Sequence, residues 1–305
     1  MRFGMDYGGT NVKAGLFSET GEAVAFEQTP LRSYVTTEGD GDGLLANLVA
    51  YAKALTEGHA VAAGGLAIKG LVDPALGGVA EDLGEGEWLA GRDLRAAFSD
   101  ALGVPFAVEN DARAYAWGEW RFGAGRGASV VACLTLGTGL GGALVAHGLP
   151  YHGADALGGI LGGHLTIDRH GPACPCGSRG CLELYCSATA LRARVADAHP
   201  ELADADTLPA FFDALRDGRA AYQPTLDAFL DDLALGVVNV VHAYGTDRVV
   251  IGGGVMNSAD LVLPGLTARV HRMAWTVPRG AVEIAAAALG NRAAALGAAF
   301  HPSLG

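Results

Sequence analysis

Basic residues are scarce in this 305-residue chain: 21 Lys and Arg stand against 33 Asp and Glu, a net charge of −12 at pH 7. With a pI near 5.1, such a surface repels phosphate backbones and anionic lipid, which argues against nucleic acid or a membrane surface as partner. A secretory leader is lacking as well. MRFGMDYGGT sets Asp6 and a glycine pair where a leader carries an unbroken apolar run, so the reducing cytoplasm is the expected compartment. Long membrane-spanning runs are lacking too. Ser129 to Gly153 holds no Asp, Glu, Lys or Arg, but Thr135, Thr138, Pro150 and many glycines interrupt it, and the break at GTGLGG reads as two buried strands around a turn. Cysteine is sparse, five in all. Yet Cys174, Cys176 and Cys181 fall within eight residues.

What is present begins with that crowd. HLTIDRHGPACPCGSRGCLE, His164 to Glu183, sets three thiols and nearby histidines on a backbone that Gly and Pro keep open. Three thiolates and one imidazole make a closed tetrahedral zinc site with no position left for water. In a reducing compartment metal ligation is the stronger expectation, with a disulfide or small buried thiols as the alternatives. His164 and His170 both compete for the fourth place, and spacing alone does not choose between them.

Half of the residues are hydrophobic, enough for the core of one large domain or two ordinary ones. Arg2 to Asp6 and Val12 to Phe17 are short apolar segments around Tyr7-Gly8-Gly9-Thr10-Asn11. That pattern predicts a strand, a tight glycine turn and a second strand, with backbone N–H groups open to an anion. Asp6 at the end of the first strand suits Mg2+ held through water, and Lys13 lies near the phosphates in that arrangement. An ordinary hairpin explains the same glycines. Ser129 to Thr135 and Gly142 to Ala146 repeat the organisation around Gly137-Thr138-Gly139, and two such turns point to related halves closing on one nucleotide.

Val104 to Val108 reads as a strand, with Glu109-Asn110-Asp111 just beyond it and helical text from Ala112 to Phe122. Ligands of α/β sheets sit at that edge, so Asp111 is a candidate general base favoured in its ionised form by the helix dipole. A plain N-cap at Asn110 or Asp111 is the competing use. The stretch from Lys69 to Gly91, rich in Gly and acids, reads as an irregular substrate-side loop. Gly252-Gly253-Gly254, after the strand Arg248 to Ile251, suits an adenosine approached by bare backbone, or equally close strand–helix packing.

Taken together, DYGGTNVK, GLVDP, ENDARAYAWGE, LTLGTGLGG, GGHLTIDRHGPACPCGSRGCLE and VVIGGGV resemble, in this order and over nearly the whole chain, the ROK family of bacterial sugar kinases and repressors. The resemblance implies two actin-like (ribonuclease H-like) α/β domains with an interdomain cleft. Residues 1–115 would form a small N-terminal domain joined by the C-terminal helix at about 290–305, and residues 116–289 a larger domain carrying the zinc. It implies transfer of the γ-phosphoryl of ATP to the 6-hydroxyl of a hexose, with Mg2+ and a structural Zn2+, in a homodimer. Asp111 matches the catalytic base and, with Asn110, His164 and Glu183, the sugar contacts. Gly8, Gly9 and Thr10 match one phosphate turn, Gly137, Thr138 and Gly139 the other, and Gly253 and Gly254 the adenosine region. The metal histidine of the family stands ten residues before the first cysteine, which is His164.

Two departures bear on the substrate. Leu161 stands where kinases of this family usually carry a Glu three residues before the zinc histidine, and an alkyl chain loses a charged hydrogen bond worth about 1.5–3 kcal/mol. EDLGEGEW, Glu81 to Trp88, is more acidic than the usual text. An altered sugar is the first expectation and weakened catalysis, leaving a sugar-binding regulator, the second. Repressors of the family carry a helix-turn-helix ahead of the kinase-like part, whereas this chain opens on the first phosphate strand, so no groove-reading helix is expected.

Overall fold

The computed structural model describes residues 1–73, 75–81, 88–153, 162–203 and 207–305. The chain divides into two compact units. One comprises Met1–Arg126, Gly148–Ile160 and Leu289–Gly305, the other Gly127–His147 and Leu161–Ala288.

The first unit is built on a mixed sheet. β1 (Arg2–Tyr7) and β2 (Asn11–Phe17) form an antiparallel hairpin that β3 (Ala23–Pro30) extends. α1 (Gly41–Thr56), capped by Asp40, which accepts from the Gly43 N–H, carries the chain over to β4 (Ala63–Ile68), parallel to β1. β5 (Leu71–Asp73) and β6 (Gly78–Glu81) then make a small hairpin in which Val72 pairs with Val79. This corrects the expectation of an irregular stretch from Lys69 to Gly91: the two valines, both buried, give it a paired core. Residues 82–87 of the acidic loop lie outside the described residues.

After α2 (Leu94–Leu102), β7 (Phe106–Asn110) adds parallel to β4, giving the order β3-β2-β1-β4-β7, and α3 (Asp111–Phe122) follows without a linking residue. The pattern in the sequence places this strand at Val104 to Val108; it starts two residues later. Pro105 has no N–H for the ladder, and only its carbonyl takes part, accepting from Gly64. Glu109 and Asn110 are therefore strand residues, and Asp111 begins the helix.

The second unit repeats the plan. β8 (Val130–Leu136) and β9 (Leu140–Ala146) form an antiparallel hairpin, the uncharged stretch read above as two strands. The chain passes through a two-residue strand β10 (Leu149–Pro150) and, within the second unit, α4 (Glu183–Cys186), α5 (Ala188–Ala198), α6 (Thr207–Arg216) and α7 (Gln223–Tyr244). β11 (Arg248–Gly252) lies parallel to β8, and after α8 (Ala259–Met273), β12 (Glu283–Ala286) lies parallel to β11. A hairpin followed by two parallel crossovers is the ribonuclease H-like arrangement, and both units have it. α7 buries Leu226, Phe229, Leu230, Leu233, Val237 and Val240 at helical spacing against this sheet's core, each contributing roughly 1.5–3 kcal/mol. Gly245, left-handed at φ 61°, ends it.

α9 (Ala293–Ala299) returns to the first unit and lies against β1, β4 and α3. Its small side chains let backbones meet: a Cβ at Gly65 would fall 2.0 Å from the Ala298 carbonyl oxygen, and one at Gly297 would fall 1.8 Å from that of Ala114. Trp117 Nε1 donates to the Phe300 carbonyl at 2.7 Å, pinning the far end. The domain bounds implied by the resemblance fall at residue 115, inside α3; in the structure the helix stays with the first unit to Phe122, packed against α9. Among the described residues no helix is long and apolar enough to cross a membrane.

Candidate functional site

In the first unit the expected residues gather at the carboxyl ends of β1 and β7. Asp6 is buried and faces Lys13 directly across the hairpin, with the Lys13 ammonium donating to Oδ2 at 2.9 Å. Burial pushes the Asp6 carboxyl up and Lys13 pulls it partly back. The turn Gly8-Gly9-Thr10 is closed by the Gly8 N–H donating to the Asn11 carbonyl at 3.1 Å, and the side of Gly9 where a Cβ would stand is open.

Asn110, not Asp111, is the cap of α3. Its Oδ1 accepts from the Ala112 and Arg113 N–H groups at 3.1 and 3.2 Å, and its Nδ2 donates to Gly70 O at 3.2 Å and to Asp111 Oδ1 at 3.1 Å. All four hydrogen-bonding positions of the amide are thus in use within the unit. Because Asn110 takes the cap, Asp111 stands at the first helical position, where the helix dipole favours its charge. Its Oδ1 also accepts from the Ala112 N–H at 2.8 Å, so one oxygen is fixed by two donors. Burial, and then the negative charge of Asp6, push its carboxyl up to about 6. A carboxylate with that affinity gains a proton readily and loses it at neutral pH, as a general base must. Asp6 and Asp111 together offer two carboxylates in one field, a donor set that suits Mg2+ retaining its water.

In the second unit the turn Gly137-Thr138-Gly139 closes β8 onto β9, with the Gly137 N–H donating to the Gly139 carbonyl at 3.0 Å. Glu183, the first residue of α4, anchors it: Oε2 accepts from the Leu140 N–H at 2.8 Å, and a Cβ at residue 139 would stand 2.6 Å from that oxygen. The start of α5 holds the other side. Ala188 N–H donates to the Gly137 carbonyl at 2.8 Å and Thr189 Oγ1 to that of Thr138 at 2.7 Å. Gly253 has φ 89° and a Cβ there would fall 2.4 Å from the Leu136 carbonyl oxygen, so close approach to the end of β8 accounts for it. Gly254 meets nothing within 4 Å on its Cβ side.

The cysteine block folds into a knuckle. His164, Cys174, Cys176 and Cys181 bring one ligand atom each to within 4.8 Å of one another. Cys176 and Cys181 sulfurs stand 3.6 Å apart and Cys174 Sγ stands 3.5 Å from His164 Nδ1. All five cysteines are free thiols. A tetrahedral ion with Zn–S of about 2.3 Å sets its sulfurs close to these spacings, whereas a disulfide needs about 2.05 Å. Burial, with the hydrogen bonds and charge of Cys174 and Cys176, pushes the Cys181 thiol up to about 12, so three thiolates here need a cation between them. His170 points elsewhere, its Nε2 accepting from Arg169 Nε at 2.8 Å. The backbone ties the knuckle to the turn: Gly163 N–H donates to the Leu140 carbonyl and Glu183 N–H to the Gly163 carbonyl, both at 2.8 Å.

The structure therefore brings Asp6, Lys13, Asn110 and Asp111 together in one unit, and the second glycine turn, Glu183 and the knuckle together in the other. Leu161 lies outside the described residues. The sequence carries no sign that Glu183 braces the second turn, because Leu140 and Glu183 are 43 positions apart.

Comparison with known proteins agrees over the full length. A glucokinase of Thermotoga maritima is 32% identical over 310 residues, covering 97% of this chain and 95% of that protein. The crystal structure of a ROK family glucokinase from Streptomyces griseus in complex with glucose and AMPPNP superposes with a TM-score of 0.80 at 29% identity, covering 98% of this chain and 97% of that one. The xylose repressor of Bacillus subtilis is 29% identical over 205 residues, covering 67% of this chain and 52% of that protein. The description ROK family matches residues 2–301, and the chain belongs to that family.

Proposed function

We propose that this chain is an ATP-dependent hexose kinase that transfers the γ-phosphoryl of ATP to the 6-hydroxyl of its sugar. The observation that carries this reading is Asp111: a half-buried carboxylate at the first position of α3, oriented by Ala112 and Asn110 and with an affinity for protons near 6. In this role it takes the proton of the sugar hydroxyl as the phosphoryl group arrives. The likeness to glucokinases over nearly the whole chain supports a kinase, while the likeness to a xylose repressor stops at two thirds of it.

Gly8, Gly9 and Thr10, with Gly137, Thr138 and Gly139, offer backbone N–H groups to the phosphates, and Gly253 and Gly254 a bare approach for the adenosine. Asp6 would hold Mg2+ through water, where the ion offsets charge on the phosphates; Lys13, bound to Asp6, keeps that carboxylate in place. Asn110, His164 and Glu183 would hold the sugar. Glu183 does so through the oxygen not committed to Leu140, and Asn110 by exchanging its bond to Gly70 for a hydroxyl. Zn2+ in the knuckle would position His164 and take no part in phosphoryl transfer. The chain would work in the cytoplasm as a homodimer.

Two measurements test this. ADP release across glucose, mannose, fructose, N-acetylglucosamine and N-acetylmannosamine is expected to show turnover of at least one sugar, and silence on all of them overturns the reading. In the same panel Leu161→Glu is expected to raise kcat/KM for glucose by about tenfold or more, the worth of one charged hydrogen bond. No gain would remove position 161 from specificity. The profile of kcat/KM against pH is also expected to carry an acidic limb near pH 6, falling about tenfold per unit below it as Asp111 of the free enzyme takes up its proton. A limb near 4, the ordinary carboxylate range, would assign the base to another group.

A further inference from the structure

A second convergence of ligating side chains lies in the first unit, outside the groups used above. Glu109, buried in β7, divides its partners between its two oxygens. Oε1 accepts from the Asn110 N–H at 2.7 Å and lies 3.5 Å from Arg113 Nη1. Oε2 lies 2.6 Å from His152 Nε2 and 3.3 Å from His301 Nε2. The two histidines come from the stretch after β10 and from the C-terminus, 43 and 192 positions away from Glu109. A cavity of about 390 Å3 reaches the cluster, with Arg95, Phe106, Val108 and Ser303 also on its wall.

The donor chemistry is that of a metal site. Two imidazole nitrogens and one carboxylate oxygen, all within 4.8 Å of one another, form a His2Glu set, and the cavity leaves room for solvent in a further position. Burial would push the Glu109 carboxyl up, but hydrogen bonds and charge from His152 and His301 more than reverse it, so the group is anionic at neutral pH. Outer partners are in place as well: Ser303 Oγ stands 2.8 Å from His301 Nδ1, and Asn110 and Arg113 hold the second oxygen of Glu109. Imidazole-rich sets select zinc, cobalt or nickel over magnesium, which prefers oxygen. The guanidinium groups of Arg113 and Arg95 oppose a dication and weaken the site without removing its ligands.

We propose that Glu109, His152 and His301 form a metal site separate from the cysteine knuckle, taking a divalent transition ion that ties β7, the stretch after β10 and the C-terminus together. The ion takes the place of the protons between Oε2 and the rings. To bind the ion each imidazole presents Nε2 as a lone pair, and an imidazolium releases one proton to solvent. In His301 this moves the proton to Nδ1, which before binding accepts from the Ser303 N–H at 3.3 Å and on binding turns its proton to Ser303 Oγ at 2.8 Å.

The proposal stands apart from the kinase reading, and its test reads metal rather than turnover. Purified full-length protein is dialysed against Co2+, and bound metal is counted in wild type, His152→Gln and His301→Gln. Glutamine retains an N–H for Glu109, so these variants keep the hydrogen bond while losing the imidazole. Wild type is expected to hold one ion per chain more than either variant, and Co2+ is expected to raise the Tm of wild type further than that of either variant, since the knuckle binds in all three. The thiolate-to-cobalt absorption of the knuckle should be equal in all three proteins, since cysteine ligation gives that band and His2Glu ligation does not. Equal metal content in the three proteins overturns the proposal and leaves the cluster a hydrogen-bonded hub. A difference that comes with loss of the thiolate band overturns it too, by placing the lost ion in the knuckle.

Discussion

Asp111→Asn is expected to lower kcat by about 10^2- to 10^4-fold, the range supplied by a positioned general base, and at the same time to make the protein more stable. The two effects share one cause. Burial and the charge of Asp6 raise the folded-state affinity of this carboxyl for its proton, from an ordinary 3.8 to about 6. A raised acid is stabilising while protonated, so its contribution is fully present below pH about 4 and is lost as pH rises through 6. Above that the folded chain holds an anion it disfavours, at a cost on the order of 2–3 kcal/mol. Asparagine keeps an oxygen for the Ala112 N–H and carries no charge to repel Asp6. At pH 7 the variant should therefore melt a few degrees above wild type, and at pH 4 the gain should vanish. Undiminished turnover would remove Asp111 as the base. An unchanged Tm at pH 7 would mean that its surroundings do not disfavour the charge.

That coupling also shows which parts of the site can be read from sequence. Asp111 stands in a short text in which a strand meets a helix, and the physics of that junction is local: a cap, a dipole and a sheet edge. The division of labour inside it is not local. Whether Asn110 or Asp111 caps α3 depends on where β7 ends, and Pro105 moves the strand two residues along. The cysteine knuckle was legible for a similar reason, since its four candidate ligands lie between residues 164 and 181, though spacing left His164 and His170 both open and only the family resemblance favoured His164. The repeat of hairpin and glycine turn could be read from the spacing of apolar segments and glycines, while the matching topology of the two units was implied only by the family resemblance.

Long-range relations were not legible. Glu183 reaches Leu140 across 43 positions, and Glu109 reaches His301 across 192, with no spacing rule to connect them. Gly253 read equally as a ligand-facing glycine and as a close-packing one, and only the packed structure shows the Leu136 carbonyl that it meets. The hairpin of β5 and β6 was hidden because its strands are three and four residues long, too short for an alternating pattern to stand out among glycines and acids.

The brace from the knuckle to the second glycine turn leads to the other large expected effect. Cys181 is fully buried, and Leu182 and Glu183 follow it directly into α4. Leu182 N–H donates to the Leu165 carbonyl and Glu183 N–H to that of Gly163, while Glu183 Oε2 holds Leu140 at the end of the turn. Structural zinc supplies about 10–16 kcal/mol of apparent binding energy in small domains, and an ion in the knuckle is positioned to hold all of these bonds in register. Cys181→Ser is therefore expected to lose one zinc per chain and to lower the Tm of the second unit. If the thiolates only staple the knuckle, nothing else changes. If they hold Glu183, and through it the turn, the KM values for sugar and for ATP rise together, each by about tenfold or more at 1.4 kcal/mol per tenfold. The conservative comparison is Glu183→Gln, which keeps zinc and an acceptor for Leu140 but weakens the sugar contact, so it should raise the sugar KM and leave that for ATP near wild type. Parallel rises in Cys181→Ser beside a split in Glu183→Gln would identify the knuckle as a support for both substrates. An ATP KM untouched by loss of the metal would confine it to the sugar alone.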